Sequence, residues 1–555
     1  MWALLGIALA APPPAGQPLN ASGNPVLRGD LAQRVADGAP TGEVQVVAEL
    51  APGADVGPLL AAAPGATVEA VAAPWVQLRL PWSELGKAAA APGVRLIRRP
   101  YRPHPQEVTS QGVAEVLDQD WHAAGFTGAG VRVAILDVGF DGYEDLLGTE
   151  LPDAVNADLR ATWRSSEHGT DVAEIVHDMA PDAALDLYSF DTDVEFMVAL
   201  MRIADSDAAV VNASIGFDNV WHADGTSPWT EAVDRLVDGG TAWMSAAGNE
   251  VGNYHIGAVT DTDGDGWLEI EGLEDFPIYG DEGEVEVSIR WSEPFAGAST
   301  DLDLFVQDSN GTRCGTSRGF QNGDDDPYEH VDCELDDGGD AATLSIELYS
   351  GTPEGLTVWI YADEGLPDAY ATRPGTLTLP ADGHNVVSVA AWDWEDNRLM
   401  DYSSRGPTDD GRLKPDLAAP SYVRTATSPS GFGGTSAATP HVTGAAALVL
   451  QAGLASDPGA LADWLRAHTE DRSDPGPDNL FGYGILRLGE PPSSAPDDTD
   501  DPDDTDVTED SDPTPAAPHV EPRSSVWACG AAPAGPWWLA LFALGLLRRS
   551  SSSRA

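Results

Sequence analysis

The chain has 555 residues, with 90 acidic residues against 29 lysines and arginines and a formal net charge of −61. This length predicts several domains, and this charge argues against binding to nucleic-acid phosphates or anionic lipid headgroups. With three cysteines in so long a chain, a disulfide-rich scaffold is excluded as well.

The first 16 residues, MWALLGIALAAPPPAG, hold a short apolar run, then Ala8-Leu9-Ala10 and a run of prolines. This pattern is typical of a signal peptide and predicts an exported chain. Residues 17–105 follow as a second unit. Apolar alternation and helical spacing predict the order β-α-β-β-α-β across residues 43–99, which is a small ferredoxin-like α+β module.

Residues 106–490 are predicted to form a doubly wound α/β domain. Continuous apolar runs predict strands buried on both faces at 131–137, 183–190, 208–215 and 241–248. Helical patterns at 193–203 and 229–240 lie between them, so we expect a parallel sheet with helices on both faces. In such sheets, ligands bind at the carboxyl ends of the strands.

Residues 251–384 interrupt this domain with acidic, turn-rich sequence and short alternating segments such as VEVSIRW, DLDLFVQD and TLSIELYS. They predict an inserted antiparallel β-sandwich, after which the α/β pattern resumes at 385–393. The segment DLDLFVQDSNG resembles the pre-peptidase C-terminal type of β-domain. In an exported protein, Cys314 and Cys333 of this insert are candidates for a disulfide.

The insert also contains the acidic stretch 261-DTDGDGWLEIEG-272. Asp261, Asp263 and Asp265 have the alternate spacing with which carboxylate oxygens surround a calcium ion. The acid that usually closes such a loop is absent, because position twelve is Gly272, although Glu269 lies nearby. Two interpretations therefore stay open: a structural calcium site and a plain acidic turn.

The C-terminal part of the chain has two segments of unusual composition. Residues 491–525 are dominated by proline, aspartate and threonine, so they predict a disordered, self-repelling linker. Residues 526–555 hold the lone Cys529, an apolar run and then arginines. The run is short for a membrane span, and a plain anchor is one interpretation. The tail also resembles the MYXO-CTERM sorting tails of exported Gram-negative proteins, which implies attachment to or release from the cell surface.

Four polar residues fall where the predicted layout places strand or helix ends. Asp137 closes the first strand, His168 and Ser436 open helices, and Asn249 follows the strand at 241–248. An aspartate, a histidine and a serine together can activate a nucleophile, and an amide can donate a hydrogen bond to a developing oxyanion. Each residue taken alone is more simply a turn residue, a surface group or a helix cap.

The motifs around these residues resemble those of subtilisin-like serine proteases, in the order that family has them. The segments that carry the resemblance are DVGFDGYEDL, HGTDVAE, NASIGF, SAAGN, SSRGPT, LKPDLAAP and GTSAATPHVTGAAAL. The resemblance implies that Asp137, His168 and Ser436 form a catalytic triad. It also implies that Asn249 and the backbone N–H of Ser436 form the oxyanion hole.

The resemblance extends to substrate binding and to the N-terminal module. Ser214-Ile215-Gly216 would pair with the substrate as an added strand, and Ala246-Ala247-Gly248 would line the pocket for the residue before the scissile bond. The N-terminal module would be a propeptide, cut between about Arg98 and Gln111. A permanent N-terminal domain is the alternative. Because the insert follows Asn249 directly, the type of substrate residue that this pocket prefers stays open.

The sequence departs from the family at three places. Val138 stands where a small hydroxyl residue is usual, and we expect this to tune the site rather than inactivate it. In HGTDVAE, Asp171 lies one turn from His168, and we expect its side chain to be in solvent. Asp145 matches a calcium ligand of the family, but the loop that completes that site is missing, so no metal is assigned there.

Two hypotheses follow. The first is a secreted or surface-anchored serine endopeptidase that acts on proteins or peptides as a monomer, needs no cofactor for catalysis and has at most a structural calcium. The second is a catalytically weak or inactive scaffold of the same fold that serves as a surface binding or adhesion protein. In both, we expect an exported protein of a Gram-negative bacterium.

Overall fold

The computed structural model describes residues 26–28, 30–36, 41–101, 104–105, 112–117, 120–162, 165–335 and 338–492. The predicted signal peptide, the C-terminal tail and the linker beyond residue 492 lie outside these ranges. Within the described part of the chain, no helix combines the length and the apolar character needed to cross a bilayer.

The N-terminal module has the predicted order of elements, preceded by a short helix that the sequence pattern did not indicate. Its strands form an antiparallel sheet of order β2-β3-β1-β4, and α3 buries Trp82 and Leu85 against it. The elements are α1 (Asp30–Ala36), β1 (Glu43–Leu50), α2 (Gly57–Ala62), β2 (Thr67–Ala72), β3 (Trp75–Pro81), α3 (Trp82–Ala89) and β4 (Val94–Arg98), followed by the short strand β5 (His104–Pro105).

The first half of the α/β domain alternates strands and helices as predicted. Most of its strands are apolar and buried on both faces, although the strand Asn156–Leu159 is largely exposed, and Ser227 caps the helix Pro228–Asp238 with Pro228 in the first turn. The elements are α4 (Val113–Val116), α5 (Asp120–Ala123), β6 (Arg132–Asp137), α6 (Tyr143–Leu146), β7 (Asn156–Leu159), α7 (His168–Met179), β8 (Ala184–Ser189), α8 (Asp193–Ala204), β9 (Val210–Ala213), β10 (Ile215–Gly216), α9 (Pro228–Asp238) and β11 (Ala242–Ala246).

An antiparallel β-domain separates β11 from the rest of the α/β domain. Its described strands form two leaves, β18-β15-β20-β12 and β13-β19-β16-β17, which are joined between β12 and β13 and enclose a common apolar core. Cys314 on β17 and Cys333 on β18 are joined in a disulfide. The strands are β12 (Tyr254–Thr260), β13 (Trp267–Ile270), β14 (Phe276–Tyr279), β15 (Glu284–Trp291), β16 (Asp301–Asp308), β17 (Arg313–Ser317), β18 (Tyr328–Glu334), β19 (Ala341–Ser350) and β20 (Thr357–Ala362).

The chain then returns to the α/β sheet. The described residues give this sheet the order β24-β25-β23-β21-β11-β9-β6-β8-β7, parallel from β25 to β7. The long helix α10 packs across it and is buried for nearly its whole length. The remaining elements are β21 (Val387–Asp393), β22 (Arg398–Leu399), β23 (Leu417–Ser421), α10 (Gly434–Gln451), α11 (Pro458–Ala467), β24 (Thr469–Glu470) and β25 (Ile485–Leu486).

Candidate active site

Asp137 and His168 form a buried pair at the carboxyl end of β6. Asp137 is the last residue of β6, His168 is the first of α7, and His168 Nδ1 lies 2.8 Å from Asp137 Oδ1. A side chain at Gly169 would prevent this approach, because an ideal Cβ there would lie 2.8 Å from the Cβ of Asp137. At Val138, the backbone N–H donates to Asp137 Oδ1 at 2.8 Å, so the chain itself supplies one hydrogen bond to the carboxylate.

Ser436 lies at the start of α10, but it is not the helix cap. The N-cap is Gly433, and Ser436 is the third helical residue. Its Oγ donates to the carbonyl oxygen of Ser214 at 3.1 Å, and Ser214 Oγ donates to the carbonyl oxygen of Ser436 at 2.9 Å. That carbonyl is free to accept because Pro440, four residues on, has no N–H to bond it. The proline in the helix therefore allows Ser214 to fix Ser436.

Helices α7 and α10 pack side by side and bring His168 near the start of α10. The ring of Phe432, just before α10, meets the His168 ring edge-on with centroids 5.1 Å apart. Two to three turns further along, Gly444 of α10 lies against Met179 of α7, where an ideal Cβ would fall 2.2 Å from the Met179 Cβ. The small residue permits this close contact, and the parallel packing places both helix N-termini at the same end of the sheet.

Asn249 is oriented as a hydrogen-bond donor toward the site. Its Oδ1 accepts from the backbone N–H of Thr435 at 2.9 Å and from Thr435 Oγ1 at 3.1 Å. Because a backbone N–H can only donate, the amide orientation is fixed and the NH₂ group remains available. The N–H of Ser436 lies in the first turn of α10, where the helix dipole favours negative charge. The two groups can together stabilise an oxyanion.

Tyr402 contacts the start of α10 and was not singled out by sequence reasoning. Its hydroxyl accepts from the N–H of Gly434 at 2.7 Å and lies 3.0 Å from Ser421 Oγ, which donates to the Gly434 carbonyl at 3.0 Å. Burial raises the pKa of Tyr402 to about 12, so the phenol stays protonated. The only signal in the sequence was its position beside SSRGPT, whose partners are set by the fold.

The predicted substrate-binding strand is paired with the chain's own N-terminal part. In β10, Ile215 is opposite Pro105 and Gly216 is opposite His104, in an antiparallel arrangement. The neighbouring Ser214 is the residue that bonds Ser436. An added strand at β10 therefore leads directly to the hydroxyl of Ser436.

The predicted pocket wall at 246–248 is closed by Thr378, a second residue that sequence reasoning missed. The Thr378 N–H donates to the Ala247 carbonyl at 3.1 Å. An ideal Cβ at Gly216 would lie 1.9 Å from Thr378 Oγ1, and one at Gly248 would lie 3.3 Å from the Thr378 Cβ. Thr378 is fully buried, and its hydroxyl has no hydrogen-bond partner among the described residues. Thr378 therefore lies against both Gly216 and Gly248, which we treat as the two walls of the pocket, and its hydroxyl is left for a substrate group to bond.

The expectation that Asp171 lies in solvent is wrong. Its side chain is buried, and it accepts hydrogen bonds from the hydroxyls of Thr425 and Ser428, the latter at 2.9 Å. Burial raises the pKa of Asp171 to about 6. The single sequence could not show this, because the two hydroxyls are more than 250 residues away.

The candidate calcium ligands converge in the structure. Carboxylate oxygens of Asp261, Asp263 and Asp265 lie within 4.8 Å of one another. An oxygen-only set of this kind fits a hard cation. Glu269, the nearby acid, instead accepts from the N–H of Thr262 at 3.0 Å. Asp145 lies apart from this set, on α6.

Parts of this chain are similar in sequence to known proteins. Residues 367–484, which contain Thr378 and Ser436, match the model of the Subtilase family, Peptidase_S8. The chain is 30% identical over 200 residues to Serine protease AprX of Bacillus subtilis (strain 168), covering 30% of this chain and 44% of the relative. It is 31% identical over 133 residues to Bacillopeptidase F of the same organism, covering 22% and 9%. The chain thus spans less than half the length of either curated relative.

Two solved structures are similar at low identity. The CspB protease of Clostridium perfringens has a TM-score of 0.48 at 17% identity, over 68% of this chain and 95% of that one. Fervidolysin from Fervidobacterium pennivorans, a keratinolytic enzyme related to subtilisin, has a TM-score of 0.44 at 17% identity, over 86% and 64%. The sequence matches support a subtilisin-like serine peptidase.

Proposed function

We propose that this protein is a serine endopeptidase. The observation that carries the proposal is the buried Asp137–His168 pair beside the helix start that holds Ser436. In the proposed reaction, Ser436 Oγ attacks the peptide carbonyl carbon and His168 Nε2 takes its proton. The carboxylate of Asp137 holds the imidazole in the required tautomer and stabilises its cation.

The remaining steps use groups that the site already orients. The Asn249 amide and the Ser436 N–H bind the oxyanion, and His168 then protonates the leaving amine as the acyl-enzyme forms. Water, deprotonated by His168, hydrolyses the acyl-enzyme and releases Ser436. The substrate lies antiparallel to β10, in the place that His104 and Pro105 occupy in this chain.

The N-terminal module is proposed to be a propeptide that blocks the cleft before it is cut. Its support is the pairing of β5 with β10, the strand that follows Ser214, whose carbonyl accepts the hydrogen bond from Ser436. The module is also docked on the α/β domain: Arg98 forms an ion pair with Asp193 at 2.5 Å, and Trp75 stacks on Trp229 with centroids 6.4 Å apart. Cleavage is expected between about Arg98 and Gln111.

The residue before the scissile bond is proposed to be small or polar. Thr378 bridges the walls at Gly216 and Gly248, so little depth remains between them. A buried hydroxyl without a partner is unfavourable by roughly 1–3 kcal/mol, and a substrate group that bonds it would remove this cost. A large apolar side chain neither fits in this shallow space nor forms a hydrogen bond with the Thr378 hydroxyl.

Export, attachment to a Gram-negative cell surface and a monomeric state are also proposed. Export and surface attachment are supported by the composition of residues 1–16 and 526–555, both outside the described ranges. A structural calcium ion on Asp261, Asp263 and Asp265 is proposed from the convergence of their oxygens. Catalysis is proposed to need no cofactor.

The test compares the full-length wild type with Ser436→Ala. The wild type is expected to lose the module by a cut between about Arg98 and Gln111 and to be labelled by a serine-directed phosphonate. The variant is expected to keep its module and to remain unlabelled. If the wild type is neither labelled nor active on a denatured protein, the peptidase proposal fails and the binding scaffold is favoured. If it is active but uncut, the module is a permanent domain.

A further inference from the structure

The loop of residues 424–431 connects the sheet to the nucleophile helix. The loop follows β23 in the chain, and Phe432 and Gly433 separate it from the start of α10. Its ends are held together, because the N–H of Phe432 donates to the Val423 carbonyl at 3.1 Å. Phe432 is also the residue whose ring contacts His168. The position of this loop therefore bears on both His168 and Ser436.

Asp171 binds one part of this loop. The residue lies one turn after His168 on α7, with its side chain buried, and its two carboxylate oxygens accept from different hydroxyls. Thr425 Oγ1 donates to Oδ1, and Ser428 Oγ donates to Oδ2 at 2.9 Å. By accepting from both hydroxyls, the Asp171 carboxylate joins Thr425 to Ser428, three positions later, and fixes the turn of the loop.

Glu174 binds the middle of the same loop. It lies one further turn along α7, is 2% exposed, and accepts from two consecutive backbone N–H groups. The Ala426 N–H donates to Oε2 at 2.6 Å, and the Thr427 N–H donates to Oε1 at 3.1 Å. Because each oxygen has its own backbone donor, this contact requires two acceptors at once.

We propose that Asp171 and Glu174 are positioning residues: they clamp the loop to α7 and so hold Phe432 against the imidazole of His168 in register with Ser436. This inference rests on the proposed peptidase function. Helix α7 then has two tasks, since its first residue supplies the base and its next two turns hold the segment that leads to the nucleophile.

Asp171 and Glu174 both stand in the segment HGTDVAE at the start of α7. Two neighbouring buried carboxylates are unfavourable for stability, because burial raises the pKa of Asp171 to about 6 and also raises the pKa of Glu174. The hydrogen bonds that the two carboxylates accept from the loop offset this unfavourable burial.

The two contacts respond differently to an amide. The partners of Asp171 are hydroxyls, which can accept as well as donate, so Asp171→Asn can keep both hydrogen bonds. The partners of Glu174 are the Thr427 hydroxyl and two backbone N–H groups, which only donate. Glu174→Gln therefore keeps one of the two backbone bonds and directs an NH₂ group at the other backbone donor. A small change on Glu174 should disturb the loop, while the same change on Asp171 should not.

The experiment uses the full chain with wild type, Glu174→Gln, Asp171→Asn, Asp171→Ala and, as matched control, Asp178→Asn one turn beyond Glu174. We measure kcat and KM on a denatured protein or peptide, the rate of phosphonate labelling and thermal unfolding. Displacing a catalytic group by about 1 Å can cost roughly 100-fold. We expect Glu174→Gln and Asp171→Ala to lose 10- to 100-fold in kcat and labelling rate. KM and the melting temperature should change little.

Asp171→Asn is expected to retain most activity, and Asp178→Asn should resemble wild type. If Glu174→Gln labels as fast as wild type, the clamp is overturned. The clamp is also overturned if the activity of Glu174→Gln falls only in proportion to the fraction of the variant that is folded. If Glu174→Gln does not fold, the comparison of Asp171→Ala with Asp171→Asn decides, since the clamp requires rescue by asparagine. If wild type itself is never labelled, the proposed function fails, and the clamp fails with it.

Discussion

Asp416 of the α/β domain and Asp301 of the inserted β-domain are buried carboxylates in opposite electrostatic environments. In the α/β domain, Asp416 is bonded by Lys414 at 2.7 Å and by Arg466 at 2.8 Å. Burial alone would raise the pKa of Asp416, but these two cations hold it below its usual value. In the insert, burial raises the pKa of Asp301 to about 8, and the neighbouring Asp303 and Glu329 raise it further.

The difference indicates where the molecule concentrates its precise chemistry. The Asp416 carboxylate is matched by two cations, so it is held in one geometry. The insert accumulates like charges, so its stability depends on protonation. Changes in the α/β domain should therefore act on catalysis, and changes in the insert should act on stability.

The largest effect is expected for Asp137→Asn. The variant keeps the shape of the side chain but favours the wrong tautomer of His168, which lowers kcat by about 10⁴-fold in the serine-protease template. Kinetics on a denatured protein measure this, with thermal unfolding as a check on folding. Activity within tenfold of wild type would contradict the assignment of the triad.

Asn249→Ala should have the next largest effect. Loss of one oxyanion donor costs about 10²- to 10³-fold in kcat, a magnitude known from subtilisin. KM should change little, because the bond forms mainly in the transition state. An equal rise in KM with unchanged kcat would instead indicate a role in ground-state binding.

Thr378→Ala should change specificity rather than overall rate. Removing the bridge deepens the pocket, and one or two added methylene groups in the substrate are worth roughly 10- to 200-fold. Cleavage profiles on a peptide library should shift from small or polar residues to larger apolar ones before the scissile bond. Thr378→Val, which keeps the shape, should lose only the polar preference. Identical profiles for all three proteins would remove Thr378 from the pocket.

Asp301→Asn should alter the pH dependence of stability without changing activity. An acid whose folded pKa lies near 8 favours the folded state below the unfolded pKa of about 4 and loses that contribution as the pH rises to about 8. The wild type should therefore melt at progressively lower temperature across this range. The variant should melt a few degrees higher than wild type at pH 8 and equally at pH 4.5. If the melting temperatures of wild type and variant change in parallel with pH, the pKa of Asp301 is not raised in the folded protein.

Calcium should have the smallest effect. If Asp261, Asp263 and Asp265 hold a cation, calcium should raise the melting temperature by a few degrees, because ligands that bind only the folded state stabilise it. Asp263→Ala should abolish the shift, and catalysis should be unaffected. No shift in wild type would leave the stretch as an acidic turn.

Local patterns were sufficient for the parts of the molecule whose causes are local. The strand at 132–137, the helix that begins at His168 and the module order β-α-β-β-α-β follow from apolar periodicity within a few residues. The short helix α1 was missed, and Ser436 was expected at a cap that Gly433 occupies. Helix boundaries depend on contacts with other segments, which the local pattern does not contain.

The residues missed at the site share one feature, which is that their partners are distant in sequence. Tyr402 bonds Gly434, and Thr378 reaches Gly216 only because the insert returns the chain between the two walls. Asp171 looked like a surface acid, since its spacing on α7 carried no sign of the loop at 425–428.

The sequence by itself determined the chemistry, because the residue types of the motifs around Asp137, His168, Asn249 and Ser436 define which atoms can exchange protons. Only the tertiary structure decided how those atoms are held. The parallel packing of α7 and α10, the carbonyl that Pro440 leaves to Ser214 and the strand pairing at β10 all arise from long-range burial and hydrogen bonding. Such contacts form between segments hundreds of residues apart, so no local pattern specifies them.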